Sequence, residues 1–167
     1  MNNIIIETKR LLIKYWTLDY LDELYSIMSD DRVHIYTGDT SWTKERCVEY
    51  INFNMNRTDI RIDNFHGATI IKETNQLIGL TGLNPYLPKQ PELEWQLGVP
   101  FWNKGYATEI GMAVIQSAFK GSDITKIYGM VNPANIGSMK AMEKIGMTCL
   151  GLKDFRNEMD LFYEICR

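Results

Sequence analysis

Apolar and polar residues recur along this chain at two periods, and each change of period marks an element. Residues 10–14, Arg-Leu-Leu-Ile-Lys, read as a first strand. From 19 to 28 the spacing turns helical, with Leu21, Leu24, Ile27 and Met28 on one face and Asp19 placed to cap. A second helix is predicted after Thr43, running through Cys47, Tyr50 and Ile51 toward Met55, and the polar residues 56–64 end it as a loop. Residues 65–71 and 77–83 flank a Glu-Thr-Asn-Gln turn and read as an antiparallel hairpin. Pro85, Pro88 and Pro91 are expected to form a stiff connection into residues 92–97. Strand alternation there puts Glu92, Glu94 and Gln96 on one face and Leu93, Trp95 and Leu97 on the other.

The later half continues in the same way. Ile110, Val114, Ile115, Ala118 and Phe119 are spaced for a helix over residues 107–119, with Gly111 allowing close packing and Gly121 supplying a stop. A strand over 126–131, a helix over 135–145 closed by Gly146, and a hairpin of 148–155 with 159–165 complete the pattern. The order predicts a mixed α/β fold with antiparallel pairing at both ends rather than a doubly wound parallel sheet. No repeat, low-complexity tract or linker divides the chain, so one domain over residues 1–167 is expected.

Composition narrows the function classes. The 18 basic and 21 acidic residues leave a formal charge of -3, which argues against nucleic acid as a partner. No apolar run reaches the roughly 18–20 residues of a membrane span, and the first seven residues do not resemble a signal peptide, so a cytoplasmic protein is expected. Cys47, Cys149 and Cys166 lack the spacing of a zinc site or disulfide framework and read as buried free thiols, and no metal is expected. His34 and His66 are isolated from any Ser or Cys at a triad-like spacing and read as structural or exposed.

Chemistry enters at Gly105-Tyr-Ala-Thr-Glu109, where a loop opens a helix. The first N–H groups of a helix have no internal partner and carry partial positive charge, so a glycine that lets a ligand approach makes a phosphate site. For a lone glycine an ordinary strand-to-helix turn is the better fit. Neither a G-x-x-x-x-G-K-[ST] loop nor a G-x-G-x-x-G fingerprint is present, which sets aside nucleotide triphosphatase and dinucleotide-binding readings.

Context distinguishes these readings. Gly105-Tyr-Ala-Thr-Glu109 after Trp102, Asn135-x-x-Ser138, then Glu143-Lys-Ile-Gly-Met147, together with the opening Glu7-Thr-Lys-Arg-Leu-Leu-Ile13, resemble in order and spacing the GCN5-related N-acetyltransferase (GNAT) superfamily. The resemblance is to its ribosomal-protein alanine N-acetyltransferase-like branch and covers the whole chain. It implies a mostly antiparallel sheet of about seven strands, splayed between the fourth (residues 92–99) and fifth (126–131), with about four helices. Acetyl-CoA would lie in that gap. Its pantetheine would meet the backbone of Leu97, Gly98 and Val99, with Asn132 and Asn135 nearby, and its pyrophosphate the N–H groups of Lys104, Gly105, Tyr106, Ala107 and Thr108. Trp102 stands where the superfamily has Gln or Arg, and Asn103 where this branch usually has Gly.

The resemblance also implies direct attack by a primary amine, with a protein N-terminus the favoured acceptor and a polyamine or aminoglycoside the alternative. At pH 7 an α-amine is roughly 10% neutral and a lysine amine roughly 0.04%, so a terminal amine needs less help. Glu92 matches a frequent Glu of the branch and is preferred as base, while Glu94 replaces its usual Gly. Backbone N–H groups near residues 97–99 would polarise the thioester carbonyl. Met142 occupies the place of the usual tyrosine acid, which leaves Ser138 or water to protonate the thiolate and also admits a non-catalytic acyl-CoA-binding module. A homodimer is compatible with the sequence. The acidic residues between 19 and 39 read as a solvated face that could also favour a cationic amine.

Overall fold

The chain begins with a hairpin that its isoleucines bury. Ile4–Glu7 forms β1, a strand missing from the sequence-based expectation, and it pairs antiparallel with β2 (Leu11–Lys14), with Ile6 and Ile13 both buried. The computed structural model describes residues 3–87, 90–155 and 158–167.

A short turn of 3-10 helix at Leu18–Tyr20 leads into α1 (Leu21–Met28). Asp19 lies within that turn rather than capping α1, whose first turn has no side-chain cap. Asp30 caps a further short helix, α2 (Asp31–His34), by accepting from the Arg32 N–H at 3.0 Å. Thr43 caps α3 (Lys44–Met55) in the same way through the Arg46 N–H, as its position before the apolar run predicts.

Four strands then occupy the middle of the sheet: β3 (Phe65–Ile71), β4 (Leu77–Leu87), β5 (Gln90–Leu97) and, after α4 (Tyr106–Gly121), β6 (Lys126–Val131). Pro85 and Pro91 do not form a connection. They face each other across the β4–β5 ladder beside a register shift, a position where a missing N–H interrupts little pairing. Pro88 lies outside the described residues. Gly121 is the last residue of α4, and Ser122 receives the helix end. Asn135 caps α5 (Ile136–Ile145), Gly146 closes it at φ 95°, and the hairpin of β7 (Thr148–Phe155) and β8 (Glu158–Cys166) follows.

The described residues form one eight-stranded sheet in the order β1-β2-β3-β4-β5-β6-β8-β7. All its pairings are antiparallel except β5 with β6, which run parallel and meet at the single register pair Glu92–Tyr128. Beyond that pair the strands diverge. The expected splay between a fourth and fifth strand is this one, renumbered by the extra N-terminal strand.

Alternation along the strands gives the sheet two apolar faces. One packs Leu11, Ile13, Phe65, Ile78, Leu93 and Ile127 with Ile110 and Val114 of α4 and Ile145 of α5. The other places Ala68, Ile70 and Leu77 with Leu24, Cys47 and Ile51 of the N-terminal helices. Of the three thiols expected to be buried, only Cys47 is; Cys149 on β7 and Cys166 on β8 are exposed. No helix among the described residues is long and apolar enough to cross a membrane.

Gly111 sits where α4 meets α5: a Cβ there would fall 2.5 Å from Ile145 Cδ1 and 3.4 Å from the Trp95 ring. In Gly111→Ala this clash offsets the ~1 kcal/mol that alanine contributes to a helix interior. Ile145→Val removes the clashing atom, so urea denaturation of the double mutant should show a favourable coupling of about 0.5–3 kcal/mol. Strict additivity would contradict the close approach.

Candidate active site at the splayed strands

Where β5 and β6 diverge the structure opens a cleft of about 940 Å³. Its walls include Glu92, Glu94 and Gln96 from β5, Met130 and Val131 from β6, and Asn84 from β4. Asn132, Asn135, Ser138 and Met142 close one side, and Tyr36–Gly38, the turn after α2, borders the other. The alternation expected of residues 92–97 therefore delivers both carboxylates to one opening, together with Asn132, Asn135 and Ser138. Leu97–Val99 and the loop at 104–108 lie outside this lining, where β5 runs on into α4.

The segment joining β5 to α4 is tightly tied. Gly98 N–H donates to the Ile78 carbonyl, while the Gly98 and Val99 carbonyls accept from the N–H groups of Phe101 and Trp102. The Trp102 indole N–H donates to the Leu97 carbonyl at 2.7 Å, giving this tryptophan the work of anchoring the loop to the strand end. Asn103 and Gly105 then both take left-handed backbone, at φ 59° and 76°. Glycine is at ease there and asparagine tolerates it, which explains how Asn103 fits a place usually held by glycine. Gly105 is the N-cap of α4 without a side-chain cap, so the first-turn N–H groups of Tyr106, Ala107 and Thr108 face outward from the helix end.

Bracing for that loop comes from the β1–β2 turn. Glu109, in the first turn of α4, accepts from the Thr8 hydroxyl at 2.7 Å and from the Arg10 N–H and Nε at 2.8 and 2.6 Å. Arg10 also donates to the Lys104 carbonyl at 3.0 Å and lies 4.5 Å from the centre of the Tyr106 ring. The opening Glu7-Thr-Lys-Arg motif and the Gly105 motif are one physical unit.

A second feature was not anticipated. His66 approaches Glu94, Nε2 to Oε1 at 3.1 Å, and also contacts the Asn84 amide oxygen; its Nδ1 lies 3.1 Å from the Tyr50 hydroxyl. Burial pushes the Glu94 carboxyl above its ordinary range, against the opposing effects of His66 and an Asn84 hydrogen bond. Burial likewise raises the Tyr50 phenol, with Glu94 adding to the effect. His34 is buried: its Nε2 lies 2.8 Å from the Met28 carbonyl and its Nδ1 3.3 Å from Gln96. The turn at 36–38 is held in place just beyond, where Asp39 accepts a fork from Arg46 at 2.9 and 2.7 Å and a bond from the Trp42 indole.

The residues overlooked in the sequence are Tyr50, His66, Asn84, the turn at 36–38 and Arg10. The turn follows a local signal, the Asp30 cap; His66 and Asn84 come together through strand register, and Tyr50 and Arg10 reach their partners from α3 and from the β1–β2 turn.

A sequence profile of the acetyltransferase (GNAT) domain matches residues 10–148. The chain belongs to this acetyltransferase family. The uncharacterized N-acetyltransferase YnaD of Bacillus subtilis is 29% identical over 143 residues, covering 85% of this chain and 81% of YnaD. A GNAT-family acetyltransferase of Bacillus anthracis superposes with a TM-score of 0.85 at 28% identity, over 96% of this chain and 97% of that one. The microcin C7 self-immunity acetyltransferase MccE, solved with acetyl-CoA and AMP, shares the fold alone: TM-score 0.79 at 17% identity, over 95% and 93% of the two chains. This GNAT protein is thus an acyltransferase, and its family uses acetyl-CoA.

The Glu109 junction makes stability depend on acid pH. Burial raises the Glu109 carboxyl, but the bonds from Thr8 and Arg10 outweigh it and hold the group below its usual range. A depressed folded-state pKa contributes stability above the unfolded value, lost as pH falls through the folded one. Glu109→Gln should therefore cost only ~1 kcal/mol at neutral pH, because Arg10 is part-exposed and solvent screens the pair. It should also flatten the decline of the thermal midpoint below about pH 4. An unchanged acid limb would contradict the assignment.

Proposed function

We propose that this GNAT protein transfers the acetyl group of acetyl-CoA to a primary amine, a protein N-terminal α-amine, by direct attack in a ternary complex. The observation that carries the reading is the splay, which leaves a cleft holding two carboxylates, Asn135 and Ser138 beside a braced loop with an uncapped helix end. In this reading the first-turn N–H groups of Tyr106, Ala107 and Thr108, with Lys104 and Gly105, hold the pyrophosphate. Leu97–Val99, Asn132 and Asn135 border the pantetheine. The Asn135 cap uses only its Oδ1, toward the Ser138 N–H at 3.1 Å, so capping and ligand contact are compatible.

Glu94 takes the proton as the amine nitrogen forms its bond to the thioester carbon. Its place on the cleft wall, with His66 Nε2 3.1 Å from Oε1 and Asn84 beside it, selects it as the base in this reading. As the carbon–sulfur bond breaks, Ser138 or a water bound beside it protonates the sulfur; Met142 has no proton to give. The acceptor enters past the turn at 36–38.

Incubation with acetyl-CoA and a panel of amines tests this. The panel contains peptides with free or blocked N-termini, a lysine peptide, a polyamine and an aminoglycoside, with thiol release and product mass measured. Acetylation of free N-termini is expected. Acetylation of only the small amines would move the acceptor to that class, and acetyl-CoA binding without turnover on any amine would make the protein a binding module. Glu94→Gln should reduce kcat by about 10²–10⁴-fold with acetyl-CoA affinity unchanged. Gly105→Val should weaken acetyl-CoA binding, because a branched side chain resists φ 76° and blocks approach to the backbone. Normal affinity in that variant would contradict the pyrophosphate assignment.

A further inference from the structure

His66, Gly82 and Glu94 form one row across three strands: His66 pairs with Gly82 on β4, and Gly82 with Glu94 on β5. In such a row the outer residues are separated by the middle side chain, unless it is absent. A Cβ on Gly82 would lie 2.9 Å from His66 Cδ2 and 2.3 Å from the Phe65 carbonyl oxygen. The imidazole lies over β4 in that space and reaches the carboxylate beyond it. Asn84, two residues along β4, supplies a second partner for each of them.

We infer that His66 is a positioning residue for Glu94, fixing its carboxylate in the cleft and favouring its ionised form, with Tyr50 orienting the imidazole. Nε2 faces two acceptors, Glu94 Oε1 and Asn84 Oδ1, so it carries the hydrogen in the neutral ring. Nδ1 then accepts from the Tyr50 hydroxyl. Each contact comes from a different element: α3 through Tyr50, β3 through His66 and β4 through Asn84. Burial alone would leave Glu94 protonated to higher pH and less able to take a proton from an amine. A positive or hydrogen-donating imidazole 3.1 Å away opposes that.

The titratable groups around the pair all enter the pH dependence. Tyr50 stands behind the imidazole, with Arg57 acting on the phenol from beyond the end of α3. Glu92 and Tyr36 share the cleft with Glu94, as does Asp160 from β8.

The inference rests on the proposed acetyl transfer, and two measurements keep their failures apart. In ¹⁵N spectra of the wild-type protein, which has two histidines, the neutral His66 ring should be the Nε2–H tautomer. In the acetyl-transfer assay, His66→Gln should move the acid limb of the kcat/KM profile upward by about one pH unit. The same variant should lower kcat near pH 7 while leaving KM for acetyl-CoA unchanged. Tyr50→Phe, which keeps the ring filling its place, should move the limb in the same direction by less. An Nδ1–H tautomer overturns the inference without reference to activity, as does an unmoved limb in a folded His66→Gln protein. A wild-type protein that acetylates no amine overturns the proposed reaction and any catalytic meaning of the pair.

Discussion

The interaction on which this structure depends is one that is cut short. β5 and β6 run parallel inside an otherwise antiparallel sheet and, among the described residues, share the single register pair Glu92–Tyr128. A longer ladder would satisfy their backbone groups against each other and close the cleft. A break in a sheet interior exposes polar backbone at a cost, so something must hold the strands together elsewhere. The helices do so: α4 follows β5, α5 follows β6, and they meet at Gly111 and Ile145. The splay and the cleft lie beside this one crossover connection, and the uncapped start of α4 lies within it.

Two glycines shape the candidate site, for different physical reasons. Gly105 supplies a left-handed turn that begins α4 without a side-chain cap. Gly82 supplies empty space, through which His66 on β3 reaches a carboxylate on β5. The first arrangement is braced by Thr8 and Arg10 on Glu109, 101 and 99 residues away in sequence. The second is braced by Tyr50 from the helix above. Both sites sit on strands or helix ends rather than on free loops, which suits groups that must hold position.

Much of this was legible in the sequence, because period and capping are local. The apolar spacing of α4, the Thr43 and Asn135 caps, the Gly146 stop and the shared face of Glu92 and Glu94 all follow from neighbours within a few residues. β1 was missed because three isoleucines before Glu7 offer no alternation, and its strand character comes from pairing with β2. The prolines misled for a related reason. Each is a poor strand residue alone, yet opposite one another beside a bulge they cost little. His66 looked isolated because its meeting with Glu94 depends on the register of two successive hairpins, one with a bulge at Thr69. Arg10 was visible as part of a motif, but its contact with Lys104 and Glu109 is tertiary. The GNAT family assignment came from ordered motifs, while the acceptor has no motif of its own.

The most direct measurement of the central claim is amide hydrogen exchange with and without acetyl-CoA. Binding in the splay should slow exchange at Tyr106, Ala107 and Thr108 and along the facing ends of β5 and β6, leaving β1–β3 unchanged. Protection confined to another part of the sheet, or none at saturating acetyl-CoA, would contradict the placement of the donor between the diverging strands.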